Sequence, residues 1–234
     1  MVNRVAIIIP TYNRPEYLEK CLDGLKKTFI KKQSLIYFID DASTDKKTLD
    51  LIKNFEKKDS LIKYHNKDKN GGVSDSLVLA IEDCFGMGYD YLIILNSDVI
   101  VNNYFYDMMT YYKNIFPNNI ISGFNTLTPG ENGKPRHPIT YDGGFFVRKK
   151  TSGAPCLGID KNLYEKYIKE ILTEYGSKRK SAFDTAATRK ASDDGSEIVC
   201  TVPSVAQHIG FNSSMAHNFN PDEAVDFKKC LKLG

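Results

Sequence analysis

The chain has 234 residues, 41% of them hydrophobic and 26% charged, with 32 basic against 29 acidic side chains and a net charge of +3. That balance is the one of a globular protein with a sizeable core, and lysines dispersed among acids argue against a nucleic-acid partner. Five widely spaced cysteines, Cys21, Cys84, Cys156, Cys200 and Cys230, with no CxxC pair, read as buried thiols in a reducing compartment rather than as disulfides or a zinc site.

The segment after Met1-Val2-Asn3-Arg4 is too short for a membrane span and lacks a signal-peptide cleavage pattern, which points to a cytoplasmic protein or a catalytic domain cut from a longer chain. Val5 to Ile9 is a continuous apolar run and predicts a buried strand. Asn13-Arg14-Pro15-Glu16 then predicts a helix with Asn13 as its cap, and Leu18, Cys21, Leu22 and Leu25 give that helix one buried face. A strand at Leu35 to Ile39 ends in Asp40-Asp41. A lysine-rich helix around Leu49 to Phe55 and a short strand at Leu61 to Tyr64 follow, and Asn70-Gly71-Gly72 precedes a helix carrying Leu77, Ala80, Ile81 and Cys84. Leu92 to Leu95 is the fourth strand.

Beyond it the pattern predicts a tyrosine-rich helix from about Tyr104 to Phe116, a strand at Ile120 to Phe124, and a polar loop from Thr126 to Thr140. Strands at Gly144 to Val147 and Ala154 to Ile159 come next, then a helix capped by Asp160 and running towards Tyr175. Lys178 to Ser192 is basic and helix-compatible, and Ile198 to Val202 is a strand. Strand and helix alternate through the first half, which implies an α/β protein with a Rossmann-like mixed, mainly parallel sheet flanked by helices. No repeat or linker divides it. The expectation is one domain over 1–234, with 1–101 as the nucleotide-binding half and 102–234 as the acceptor-side half.

The run Leu92-Ile93-Ile94-Leu95-Asn96-Ser97-Asp98-Val99-Ile100-Val101 places a carboxylate inside apolar sequence. Burying it without a partner is costly, so Asp98 either meets a cation, such as a metal carrying a nucleotide diphosphate, or caps the next turn. There is no GxxxxGK[ST] and no GxGxxG after the first strand, which argues against a P-loop enzyme or a dinucleotide oxidoreductase. In their place stand polar residues at four strand ends: Pro10-Thr11-Tyr12-Asn13-Arg14, Asp40-Asp41-Ala42-Ser43-Thr44-Asp45, Asn70-Gly71-Gly72 and Asn96-Ser97-Asp98. Strand ends of this kind are where an α/β sheet collects ligand contacts.

The succession IIIPTYNRPEYLEKCLDGL, FIDDASTD, NKDKNGGVSDSL and LIILNSDVIV resembles the glycosyltransferases of the A-type fold, most closely the family 2 nucleotide-sugar transferases. The resemblance is densest through Val101 and thinner to Gly210. It implies that Pro10, Tyr12 and Asp41 hold the nucleotide base. A carboxylate accepts the imide N–H of uracil, and a tyrosine ring offers a stacking face. Thr11, Arg14, Asn70, Gly71, Asn96 and Ser97 complete the nucleotide site in this reading. Asn96 stands where the family's DxD motif has its first acid, leaving Asp98 as the main metal ligand. His208, in Gln207-His208-Ile209-Gly210, matches the family's later metal-binding histidine and favours Mn2+ over Mg2+, with a structural role as the alternative. Asp184 falls where the family carries its catalytic base, with helix capping as its alternative. Gly143-Gly144 and Gly153-Ala154-Pro155 fall where backbone approaches the sugar or acceptor, or where the chain merely turns, and Arg136 or Arg148 are candidates to assist the diphosphate.

The implied reaction is inverting transfer of a sugar from a nucleotide diphosphate, UDP for preference, to an acceptor hydroxyl on a glycan, lipid-linked or protein carrier left open. A sugar-1-phosphate nucleotidyltransferase and a non-catalytic nucleotide-sugar-binding module are the alternatives. The first conflicts with the glycine-free loop at Pro10 to Arg14.

Overall fold

The computed structural model describes residues 2–57, 60–129, 133–153, 155–177, 183–210 and 222–227. Cys230, Ala154 and positions 178–182 of the basic stretch lie outside them. The first half runs β1 (Val5–Thr11), α1 (Pro15–Lys27), β2 (Leu35–Asp40), α2 (Lys46–Lys53), β3 (Leu61–Asn66), α3 (Val73–Gly86), β4 (Tyr91–Leu95) and β5 (Val99–Val101). The second half begins with α4 (Phe105–Ile115), β6 (Ile121–Ser122), β7 (Ile139–Asp142), β8 (Phe146–Lys149) and β9 (Cys156–Ile159). A helix then runs from α5 (Lys161–Leu163) through a π-helical turn at Tyr164–Ile168 into α6 (Lys169–Ser177), followed by α7 (Phe183–Asp193), β10 (Ile198–Thr201) and β11 (Ala206–His208).

Nine strands form one sheet in the order β3-β2-β1-β4-β9-β6-β10-β8-β7. β3, β2, β1 and β4 are mutually parallel, whereas β9 pairs antiparallel with both β4 and β6. Side chains alternate between the two faces of the first strands. Ala6, Ile8, Tyr37, Leu92 and Ile94 pack beneath α3 and the helices of the second half. Ile7, Ile9, Phe38, Ile93 and Leu95 pack beneath α1 and α4. Because both faces are covered, these strands read as unbroken apolar runs, and their loops emerge together at one end of the sheet.

Two expectations change. The tail of the apolar run, Val99–Val101, leaves the main sheet to pair antiparallel with β11 in a separate two-stranded sheet. The end of the expected polar loop forms the exposed edge strand β7, which pairs with β8 across a tight turn. Gly143-Gly144 is that turn, with Gly144 at φ 80° and a Cβ on Gly143 meeting the Phe146 ring at 2.4 Å. The pair therefore serves the hairpin and is not part of the cleft described below. Cys21, Cys84, Cys156 and Cys200 are buried free thiols. Among the described residues no helix is long and apolar enough to cross a membrane.

Candidate active site

The loops after β1, β2, β3 and β4 converge on a cleft of about 470 Å³. Its walls include Pro10, Thr11, Tyr12 and Arg14 from the first loop and Asp41 from the second. Asn70 and Gly71 come from the third loop, and Asn96, Ser97 and Asp98 from the fourth. The residues proposed from sequence for the nucleotide are thus brought together, and Tyr12 keeps 41% of its surface exposed on the cleft wall.

Asn13 does not cap α1. Arg14 holds the cap position in a left-handed conformation with no side-chain cap bond, and Asn13 is itself at φ 51°. The Asn13 side-chain oxygen accepts the Thr44 N–H at 3.0 Å and the Asp45 N–H at 2.9 Å, while its own N–H donates to the Ser43 hydroxyl at 2.7 Å. Asparagine tolerates this backbone better than most residues, and its carbonyl satisfies two amides of the neighbouring loop rather than one of its own helix.

The two aspartates of the second loop divide their work. Asp40 is fully buried and accepts from the Thr11 hydroxyl at 3.0 Å and the Ser43 N–H at 2.8 Å, closing the turn. Asp41 faces the third loop. Its Oδ1 accepts from Lys67 at 2.6 Å, the Gly71 N–H at 3.0 Å and the Ser76 hydroxyl at 3.1 Å, and its Oδ2 accepts the Gly72 N–H at 2.7 Å. Burial pushes the Asp41 carboxyl up, but Lys67 and these amides outweigh it and hold it below the ordinary carboxylate value. Gly72 at φ 90° starts α3, and a Cβ on Gly71 would meet Asp75 Oδ2 at 2.6 Å.

At the other end, Asp98 Oδ2 lies 3.1 Å from Arg14 Nη1 and 3.3 Å from His208 Nε2. β11 brings the histidine there: His208 is opposite Val99, and the Ile209 N–H donates to Asp98 O at 2.9 Å. Burial pushes the Asp98 carboxyl up, and the His208 imidazole and the Arg14 guanidinium outweigh it, so that it remains ionised below its ordinary value. A Cβ on Gly210 would stand 2.2 Å from Asp98 Oδ2, which makes that glycine a steric requirement of the arrangement.

Asp184 is not among the residues lining the cleft. α7 begins at Phe183, so Asp184 sits inside its first turn, where Oδ1 accepts the Thr185 N–H at 2.8 Å. Its Oδ2 faces Gly153, 3.9 Å from where a Cβ on that glycine would be. The Pro155 carbonyl accepts the Asn96 N–H at 3.0 Å and so joins this second site to the end of β4. Neither Arg136 nor Arg148 lines the cleft. The Arg148 guanidinium lies over the Phe116 and Phe146 rings, and Arg136 is 3.8 Å from Asp222. Sequence reasoning passed over Lys67 and Ser76, which hold Asp41, and Tyr175 and Gly176 of α6, which close the cleft from the second half. A Cβ on Gly176 would meet Asp75 Oδ1 at 2.2 Å. A glycine in the last turn of a helix was the one available sign.

A carboxylate and an imidazole 3.3 Å apart suit a cation that accepts both oxygen and nitrogen, as Mn2+ does. Among the described residues no group of three or more His, Cys, Asp or Glu forms a complete cage. A cation at Asp98 and His208 therefore needs oxygens from its ligand as well.

The family model described as Glycosyl transferase family 2 matches residues 6–177. A dolichyl N-acetyl-alpha-D-glucosaminyl phosphate 3-beta-D-2,3-diacetamido-2,3-dideoxy-beta-D-glucuronosyltransferase of Methanococcus voltae is 39% identical over 71 residues, covering 29% of this chain and 22% of that protein. The poly(ribitol-phosphate) beta-N-acetylglucosaminyltransferase TarS of Staphylococcus aureus is 27% identical over 100 residues, covering 42% of this chain and 17% of that protein. The matched parts make up 22% and 17% of these relatives, which are much longer than the region shared. Among solved structures, S. aureus TarS 1-349 in complex with UDP-GlcNAc matches with a TM-score of 0.63 at 18% identity, over 99% of this chain and 65% of that one. GalNAc-T7 with UDP, GalNAc and Mn2+ matches with a TM-score of 0.65 at 13% identity, over 91% of this chain and 44% of that one. At such identities the likeness concerns the fold.

Proposed function

Because the chain belongs to glycosyl transferase family 2 and has the glycosyltransferase A-type fold, we propose that it transfers a sugar from a UDP-sugar to an acceptor hydroxyl, with inversion and with a divalent cation, Mn2+ before Mg2+. The observation that carries this reading is the convergence of the four loops on one cleft, with Asp41 at one end and Asp98 beside His208 at the other. Asp41, held ionised by Lys67, is an acceptor and not a donor, which suits the imide N–H of uracil and disfavours cytosine. Tyr12 offers its exposed face to the base, and Asn70 and Gly71 hold the wall beside it.

Asp98 and His208 would hold a divalent cation, which would supply positive charge to the leaving diphosphate. The Arg14 guanidinium stands beside that carboxylate and adds a fixed positive charge at the same end. Asp184, reached through Pro155 and Gly153, acts as the general base: it takes the acceptor proton as the hydroxyl oxygen attacks the anomeric carbon from the face opposite the diphosphate. The bond to the diphosphate oxygen breaks as the new one forms, and the electron pair leaves with UDP.

The test is a thermal-shift screen of nucleotides with and without Mn2+, followed by UDP release from a panel of UDP-sugars. UDP with Mn2+ at a hundred times its Kd is expected to raise the melting temperature by about 5 °C or more. Asp98→Ala should remove the Mn2+-dependent part of that shift while the ligand-free protein still melts cooperatively at a lower midpoint, and Asp184→Asn should keep the shift while slowing UDP release about a hundredfold. Pyrophosphate release from a nucleoside triphosphate and a sugar 1-phosphate would favour the nucleotidyltransferase instead. Binding without turnover would favour the non-catalytic module.

A further inference from the structure

The loop ahead of β7 carries a histidine with no part in the donor cleft. His137 is 5% exposed, its Nδ1 lies 2.9 Å from the Thr151 hydroxyl, and its Nε2 has no hydrogen-bond partner among the described residues. That nitrogen is not fully sealed from solvent, so it is open to the oxygen of a ligand. Its surroundings narrow which ligand. A Cβ built on Gly153 would stand 3.9 Å from His137 Nε2, 3.9 Å from Asp184 Oδ2 and 3.6 Å from Pro155 Cδ, its nearest contacts among the described residues beyond its chain neighbours. Gly153 therefore leaves a methyl-sized space with the imidazole and the carboxylate facing it. The frame around that space is fixed: the Ser152 N–H donates to the Thr188 hydroxyl at 3.2 Å, and that hydroxyl donates to Asp184 O at 2.8 Å. Through the Pro155 carbonyl the space adjoins Asn96 at the diphosphate end of the cleft.

In the tautomer that has the Thr151 hydroxyl donating to His137 Nδ1, the ring proton sits on Nε2. Burial first, then the Lys149 and Arg136 cations, push the ring down to about 4, with Asp222 opposing. At neutral pH the ring is an uncharged donor that does not compete with Asp184 for a proton.

We propose that His137 is a second acceptor-binding group, which donates from Nε2–H to the oxygen of the attacking hydroxyl over Gly153 while that hydroxyl's proton passes to Asp184. This rests on the transferase reading and on Asp184 as its base. One lone pair of the oxygen takes the hydrogen bond and the other attacks the anomeric carbon. The imidazole thus fixes the direction of attack without exchanging a proton of its own.

The experiment compares the wild type with Gly153→Ala, His137→Leu and His137→Gln. It measures UDP release from the most reactive UDP-sugar with water or glycerol as nucleophile, and UDP affinity by calorimetry. The Gly153→Ala methyl fills the space, so UDP release should fall about tenfold or more with UDP affinity within about twofold of wild type. His137→Leu should raise the KM for glycerol about tenfold, and His137→Gln, whose amide N–H reaches the same region, should recover most of it. Kinetic constants equal to wild type in both Gly153→Ala and His137→Leu would overturn the proposal, as would rate, UDP affinity and melting temperature falling together in all three variants. A wild-type protein that binds UDP yet releases none from any UDP-sugar sinks the transferase reading and this one together. Release by the wild type with indifferent variants sinks this one alone.

Discussion

A single buried imidazole shows how much a side chain's surroundings decide. The environment of His137 comprises Lys149 and Arg136 as cations, Asp222 as an anion and Asp184 across Gly153. Its folded value of about 4 lies below the unfolded value of 6.5, so between the two the unfolded chain binds more protons and stability rises with pH. The contribution is fully present above about pH 6.5 and is lost as pH falls towards 4. At pH 4.5 the loss is about 2 to 3 kcal/mol. Urea titrations at pH 7 and pH 4.5 should show this loss in the wild type and a smaller one in His137→Gln. The carboxylates Asp41 and Asp98, both held below their ordinary values, lose stability at lower pH still and are common to both proteins. Equal losses in the two proteins would mean that the ring charges freely. Nothing in the sequence marks this residue: a lone histidine in a polar loop has no periodicity, and its neighbours Thr151, Gly153 and Asp184 are brought to it by the fold.

Between elements, the first loop and the second are clipped together by Asn13, which supports Tyr12 and Arg14 on the cleft wall. Asn13→Ala leaves the Thr44 and Asp45 amides without their partner and places a residue with no compensating side-chain bond at φ 51°. The expected loss is about 2 kcal/mol in chemical denaturation. Asn13→Gly relieves the backbone but not the lost bonds and should recover about half. Identical losses for the two would assign the whole effect to the hydrogen bonds. Here the structure departs from the expected cap, because an Asn two residues before Pro15 is an ordinary helix-start signal and its capture by Thr44 and Asp45 is a tertiary event. Strands β1, β2 and β4 were legible because burial on both faces leaves continuous apolar runs, and α1 and α3 because one face alone is buried. β7 was not, since all four of its residues are exposed and β8 is its only strand partner among the described residues. The four cleft loops were legible because each lies at a strand end. Lys67, Ser76, Tyr175 and Gly176 were not, because their place in the site depends on how α3 and α6 pack.

At the scale of the molecule, the sheet crosses the proposed boundary between a nucleotide half and an acceptor half. β9 of the second half pairs with four of the five residues of β4, from Leu92 with Ile159 to Leu95 with Cys156. Leu163, Tyr164, Ile168 and Leu172 share one core with Ile8, Leu92 and Ile94, and Tyr175 and Gly176 form a wall of the cleft. A fragment ending at residue 101 would expose the outer edge of β4, uncover that apolar face and lack one wall of the proposed UDP site. Such an edge invites association, and the exposed apolar face weakens the remaining core. We therefore expect residues 1–101 alone to show no cooperative thermal transition and no UDP-dependent shift, while the full chain melts in one transition that UDP and Mn2+ raise. Calorimetry of both proteins checks this. A fragment that melts cooperatively and binds UDP would make the first half an autonomous domain, and would move the origin of the site from the whole sheet to the four loops of β1 to β4.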